Sequence, residues 1–416
     1  MYKKIILYVI IINEVIVMNI KFIHCSDLHL GCTPAHLDIR YNDFFDSFRY
    51  LINKAIEENC KYILISGDLF HLKVINSKTL LKVTELFDEA INNNIKIIAI
   101  EGNHDKAFYV DEDSWLEFLK AKNYLILLKH KIIENKLVLD SNAIYEDDNI
   151  RIIGIGYLGS TTQMYLSNIK SQIKKSKKFT VLMLHAAVNR LCGEEMGDIN
   201  VNSLTPLNKA VDYIALGHIH TRYEYNDFIY NPGSLENIRL KDGKYSDKKG
   251  FNLVEYNSES CEKNVTFYKS FLRKSTHINI EINNLSFEET IDYLKTYDYN
   301  LEKESMLELT LYGKENYNPY LLNLEDLKNY IQDKYEVLYV EINNYINLIT
   351  KKQEINNNID ISIIEEQTID RYIQENYPSL NSKSITIDIK SLKEQILGNI
   401  DNTTIINSMI KEEEMK

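Results

Sequence analysis

Apolar residues in the first 220 positions gather in five short runs: KFIHC at 21–25, YILIS at 62–66, KIIAIE at 96–101, TVLML at 180–184 and YIALG at 213–217. Each is ended abruptly by polar residues, and runs of that length predict buried strands. Helix-length segments such as 43–58 and 77–93 lie between them. In the second, Leu80, Leu81, Thr84, Phe87 and Ile91 recur at helical spacing. Strands alternating with helices predict an α/β domain with buried sheets.

Past residue 272 the pattern changes. HINIEIN at 277–283 alternates as a strand, and 286–297 suits a helix capped by Ser286 with Glu289 at the capping-box position. Residues 306–312 and 336–342 alternate again around a helix near 324–333. This predicts a small α/β unit over 271–348, after a main domain over 18–270. From 349 to 416 the chain is polar and Asn-rich, with two amphipathic stretches, one with Ile369, Tyr372 and Ile373, the other with Ile389, Leu392, Ile396 and Ile400. They predict a helical, partner-binding tail, though Gly398 weakens the second. Residues 5–17 are apolar but interrupted by Asn13 and Glu14, shorter than the ~20 residues a bilayer needs, and followed by no small-residue cleavage site. Residues 1–17 are therefore expected to be an upstream extension before Met18, and no membrane partner is expected.

A chain of 416 residues exceeds the ~250–300 at which single cores stop growing, in keeping with more than one domain. The five cysteines, at 25, 32, 60, 192 and 261, have no CxxC spacing and read as reduced thiols of a cytoplasmic protein. The net charge of -12 excludes a protein that coats nucleic acid by bulk attraction. That charge is uneven: 31 Lys and Arg face 33 Asp and Glu over 18–270, but 15 face 26 over 271–416. DNA is least expected on the C-terminal third, where a protein partner is more plausible.

The residues after the strands carry the chemistry. KFIHC runs into SDLHLG, YILIS into GDLF, KIIAI into EGNHD, TVLML into His185, and YIALG into HIH. Open α/β sheets place ligand groups at the carboxyl ends of their strands. The set comprises Asp27, His29, Asp68, Asn103, His104, His185, His218 and His220, with enough carboxylate, amide and imidazole groups for two divalent cations if one carboxylate bridges. Oxygen and nitrogen donors without thiolate suit Mn, Fe or Zn better than Mg or Ca, and Mn²⁺ is the expectation. Gly67, Gly102 and Gly217 stand where side-chain bulk would crowd such a site. His24, His36, His71, His130 and His277 lack this setting and read as structural or solvated.

The series DLHLG, GDLF, GNHD, His185 and GHIH resembles the calcineurin-like metallophosphoesterases. Within them, SGDLFH followed by INSKTL, IYNPGSLEN and KKGFNLVEY is similar to the SbcD-type DNA double-strand-break repair nuclease subunits. The resemblance covers roughly 18–270 and implies a two-sheet sandwich flanked by helices, with a small α/β cap domain after it. It further implies that Asp27, His29 and His220 hold one metal and that Asn103, His185 and His218 hold the other, with Asp68 bridging. His104 then faces the scissile phosphate, to protonate the leaving oxygen or to stabilise phosphoryl charge, and Asp105 orients the loop. Expected partners are DNA, an SMC-like ATPase of SbcC type on the C-terminal segment, and a second copy of the chain.

The expected function is thus a two-metal phosphodiesterase, a DNA exonuclease or endonuclease subunit. Hydrolysis of small phosphomonoesters, cyclic nucleotides or other non-DNA diesters is the alternative on the same fold. Two basic clusters, Lys170, Lys174, Lys175, Lys177 and Lys178, and Arg239, Lys241, Lys244, Lys248 and Lys249, read either as phosphate contacts or as solvated faces.

Overall fold

The computed structural model describes residues 19–107, 113–189, 191, 198–315 and 317–347, with the isolated positions 369, 373, 385 and 389. Residues 1–17, Cys192 and nearly all of the C-terminal segment, including most of its two amphipathic stretches, lie outside the described residues. The larger compact unit holds the described residues up to 281, with 285–311 and 317–344; the smaller holds 282–284, 312–315 and 345 onward.

Two six-stranded sheets carry the main domain. The first runs in the order Glu262–Lys269, Gly250–Asn257, Asn19–Cys25, Tyr62–Ile65, Lys96–Ala99, Ile126–Leu127. The second runs Tyr223–Tyr225, Ile229–Asn231, Tyr213–Gly217, Phe179–His185, Ile150–Ile155, Ile144–Glu146. Their central strands are parallel, in register Phe22↔Tyr62↔Lys96 in one and Ile152↔Val181↔Tyr213 in the other.

The period of two along each strand explains the unbroken apolar runs. Phe22, Leu64 and Ile98 point to one side, where they meet Val181, Met183, Tyr213 and Ala215 of the second sheet. Ile23, Ile63, Ile65 and Ile97 point to the other, under the helices Asp38–Glu57 and Ser77–Asn92, through Phe44, Phe48, Val83 and Phe87. Leu182, Leu184, Ile214 and Leu216 are covered by the helix Thr162–Gln172 through Leu166 and Ile169.

All five expected strands form. Two further core strands, Ile150–Ile155 and Gly250–Asn257, were not anticipated, because Arg151 and Asn252 break their apolar runs. The helix expected at 43–58 starts earlier, at Asp38, and its first turn has no side-chain cap that would have marked it. The Ser77–Asn92 helix buries Thr79, Val83, Leu86, Phe87 and Ala90. Of the residues noted at helical spacing, Leu81 and Ile91 are exposed, because the buried face is turned by about one residue.

After the main domain come a three-stranded sheet, Ser275–Asn283, Met306–Lys314 and Tyr339–Ile346, and the helices Phe287–Thr296 and Leu324–Tyr335. Ser286 and Glu289 form the expected capping box. The last strand starts three residues later than its alternation suggested, since Glu336 at φ 50° closes the preceding helix in a left-handed turn. Arg273, just before the first of these strands, donates through its guanidinium to both carboxylate oxygens of Asp43 at 2.7 and 2.9 Å, both residues lying in the larger compact unit. The four described cysteines are free thiols, with Cys25, Cys32 and Cys60 buried. Among the described residues no helix is long and apolar enough to cross a membrane.

Candidate metal centre

The carboxyl ends of five parallel strands open onto one place. The loops after Cys25 and Ile65 zip together, with Asp27 N–H donating to Gly67 C=O and His29 N–H to Asp68 C=O, both at 3.0 Å. This pairing sets Asp27 and Asp68 side by side. Asp27, His29, Asp68 and His218 all have positive φ, between 46° and 89°. Four strained residues of these types in one site mark it as functional rather than merely folded.

Two adjoining clusters result. In the first, the Nε2 atoms of His29 and His220 are 3.2 Å apart, and Asp27 Oδ1 lies 3.8 Å from His220 Nε2. In the second, Asn103 Oδ1 lies 3.1 Å from both His185 Nε2 and His218 Nδ1. A single carboxylate oxygen stands between them: Asp68 Oδ2 is 3.7 Å from His29 Nε2 and 3.4 Å from His185 Nε2. Asp27 with His29 and His220, and Asp27 with Asp68 and His185, have ligand atoms close enough to share one ion. The structure thus brings together all eight residues singled out in the sequence.

The donor set fits cations. Asp27 and Asp68 are fully buried, and among the described residues their ionic partners are imidazoles alone. Burial alone would raise the Asp68 pKa, but the adjacent His185 and His29 hold it below the ordinary carboxylate range. Burial would likewise lower the His185 pKa, yet the Asp68 carboxylate pushes it up to about 9. Burial lowers the pKa values of His29, His218 and His220, leaving these imidazoles neutral and able to ligate. His185 Nδ1–H donates to Ser66 C=O at 2.7 Å, which aims Nε2 at the cluster.

The glycines are explained by contact. A Cβ on Gly67 would lie 2.2 Å from His185 Nδ1, one on Gly102 2.0 Å from Asp68 Oδ1, and one on Gly217 2.2 Å from Ser66 O. Asp105 orients its loop as expected: its carboxylate accepts from the N–H groups of Leu69, Phe70 and Gly102 at 3.0–3.2 Å. Burial, then the nearby Asp68, pushes its pKa up to about 7.

His104 stands beside the clusters. Its N–H donates to Asp68 Oδ1 at 2.9 Å, and its Nδ1 lies 2.6 Å from His71 C=O, which leaves Nε2 free. The reading of His71 as structural is overturned. Its ring stacks on His104 at 5.5 Å and its Nδ1 is 3.4 Å from His29 Nδ1, so it lines the site. Its signal was its place three residues after Asp68 in GDLFH, where the loop still runs along the site. Tyr157, 5.2 Å from the His218 ring, was also missed, and nothing in its local sequence marks it.

The other histidines lie elsewhere. His24 is satisfied between the sheets, His277 pairs with Glu308 across neighbouring strands of the three-stranded sheet, and His36 is exposed. Lys174, Lys175, Lys177 and Lys178 precede the Phe179–His185 strand, at the end away from His185. A seven-residue strand spans about 20 Å, so this cluster is remote from the site. Arg239, Lys241, Lys244 and Lys248 are exposed after the His218–His220 loop, whereas Lys249, grouped with them in the sequence, is fully buried and is no surface charge.

Comparison with known proteins agrees. Residues 20–222 match the calcineurin-like phosphoesterase family. The chain is 26% identical over 322 residues to the DNA double-strand break repair protein Mre11 of Sulfurisphaera tokodaii, covering 74% of this chain and 78% of that one. It is 32% identical over 252 residues to Mre11 of Methanocaldococcus jannaschii, 58% of this chain and 64% of that one. With Mre11 of Methanococcus maripaludis it shares 26% identity over 410 residues, 94% of this chain and 99% of that one. The chain is thus similar to the calcineurin-like phosphoesterases over residues 20–222 and to Mre11 DNA double-strand break repair proteins over 58–94% of its length.

Proposed function

We propose that this protein is a two-metal phosphodiesterase that cleaves DNA in double-strand break repair. The observation that carries this reading is the position of Asp68 Oδ2 between two clusters of oxygen and nitrogen donors. Asp27, His29 and His220 would hold one cation, Asn103, His185 and His218 the other, with Asp68 reaching both; the mixed oxygen and nitrogen donors suit Mn, Fe or Zn, and Mn²⁺ is the cation proposed. When bound, such a pair supplies Lewis acidity that activates water and offsets charge on the phosphate.

The remaining work falls to the chain's own side chains. His104, its ring fixed by the His71 carbonyl, presents Nε2 to the phosphate, to protonate the leaving oxygen or to hydrogen-bond the phosphoryl oxygens. His71 stacks behind it and limits rotation of that ring. The fully buried carboxylates are screened from water, which strengthens their hold on cations.

DNA would approach over Arg239 and Lys241, which follow the NPGS segment that packs on the His218–His220 loop. Lys174, Lys175, Lys177 and Lys178 would at most touch a distant stretch of backbone. In this reading 18–270 is the nuclease domain, 271–348 its cap, and the acidic 349–416 segment the dock for an SMC-like ATPase of SbcC type. A homodimer is supported by Leu72, Val74 and Leu81, exposed at 58%, 65% and 60% on and just before the Ser77–Asn92 helix. The setting would be the cytoplasm.

The test is purified protein with Mn²⁺, assayed side by side on linear duplex DNA, a nitrophenyl diester and a nitrophenyl monoester. Cleavage of DNA and diester is expected. Monoester hydrolysis with inert DNA, even with the partner ATPase added, would instead establish a small-molecule phosphatase.

A further inference from the structure

Lys249 is 0% exposed, yet among the described residues it has no carboxylate within ion-pair distance. Its ammonium donates to His220 C=O at 3.1 Å and to Ser234 Oγ at 2.9 Å. Burying an ammonium without a counter-ion is costly, so its retention calls for a role.

Its surroundings supply one. His220 C=O also accepts the N–H of Ser234 at 3.2 Å. The carbonyls on either side are taken by Asn231, whose Nδ2 donates to Ile219 C=O at 2.7 Å and to Thr221 C=O at 2.9 Å. Arg222 N–H closes the segment onto Lys248 C=O at 2.8 Å. Gly233, at φ 81°, permits this approach: a Cβ there would lie 2.6 Å from Lys248 O and 2.9 Å from His220 O. Asn231 and Ser234, like Lys249, are fully buried. The NPGS and KKG segments therefore meet behind the loop and grip three consecutive carbonyls around His220, a ligand whose side chain is 33% exposed.

We propose that Lys249, with Asn231 and Ser234, is a positioning residue for His220, and that this carbonyl clamp sets how tightly the Asp27, His29 and His220 cluster holds its cation. The inference rests on the two-metal reading. It also has a sign that discriminates. An ammonium acting through space on a dication would weaken binding, so its removal would tighten the site; a clamp predicts the reverse.

The test is Lys249→Met, which keeps the stem and removes the donor. Metal is titrated into apo wild type and variant by equilibrium dialysis against Mn²⁺, with the electron paramagnetic resonance spectrum recorded at each point. Wild type should hold two equivalents with a spin-coupled pair signal. The variant should keep one tight equivalent, bind the second about 10–100-fold more weakly, the range typical for loss of a group that orients a ligand, and regain the coupled signal at high Mn²⁺. Two equivalents bound as tightly as in wild type, or more tightly, would overturn the proposal, as would equal weakening of both sites. Should Lys249→Met fail to fold, Ser234→Ala removes one anchor of the ammonium; it should weaken the same single site by a smaller factor, and unchanged binding there would overturn the clamp. Wild type that bound fewer than two equivalents would overturn the two-metal reading itself.

Discussion

Asp68 is joined to His104 through the backbone: the N–H of His104 donates to Asp68 Oδ1 at 2.9 Å, while Asp68 Oδ2 lies between His29 and His185. The carboxylate between the two donor clusters thus also sets where the histidine beside them stands.

From this follows a separation of roles. His104→Ala should lower kcat on a diester by about 10²–10⁴-fold, the usual contribution of a positioned acid or base, with metal content nearly intact. Turnover assays paired with elemental analysis check it. Normal turnover would remove His104 from the mechanism.

Asp68→Asn and His218→Ala should behave differently. Each should lose metal as well as activity, and Asp68→Asn should weaken both sites because its carboxylate faces both clusters. Two tightly bound equivalents in either variant, measured by calorimetric titration with Mn²⁺, would contradict the donor set.

Gly102→Ala tests the packing that brings the loops together. A Cβ there would meet Asp68 Oδ1 at 2.0 Å and Asp68 N at 2.4 Å, so the two loops must part. The expected cost is about 1–3 kcal/mol in urea unfolding, together with weakened metal binding. Wild-type stability and metal affinity would show that the loops are looser than described.

His24 gives a prediction about pH. Its Nε2–H donates to Leu216 C=O at 3.0 Å and its Nδ1 accepts from the Tyr213 hydroxyl at 2.8 Å, so the neutral ring is satisfied between the sheets. Burial pushes its pKa down to about 3 from the usual 6.5. Between those values the unfolded chain binds a proton that the folded one refuses, so this residue's contribution to stability falls as pH drops from 6.5 toward 3. Unfolding of wild type should lose up to about 4 kcal/mol from this source over that window, and His24→Gln should flatten the slope. Parallel slopes would place the acid sensitivity elsewhere.

Much of this was legible in the chain because burial on both faces of a parallel sheet leaves unbroken apolar runs, and because the polar residues ending Cys25, Ile65, Ala99, Leu184 and Gly217 all face one edge. The spacing of Asp27, Asp68, Asn103, His185 and His218 carried the site for the same reason. His71 escaped because no strand ends beside it; only the zipped loops bring it back to His29. Lys249 escaped because its neighbours in sequence are exposed lysines, and charge alone does not tell a solvated ammonium from a buried one. The turned face of the Ser77–Asn92 helix has a further cause. Leu81 and Ile91 keep the helical period, but the pattern alone could not tell the buried face from the exposed one.

The most direct measurement is anomalous scattering from crystals soaked in Mn²⁺. The account predicts two peaks, one among Asp27, His29 and His220, one among Asn103, His185 and His218, with Asp68 reaching both. A single peak, or two that Asp68 does not share, would contradict it.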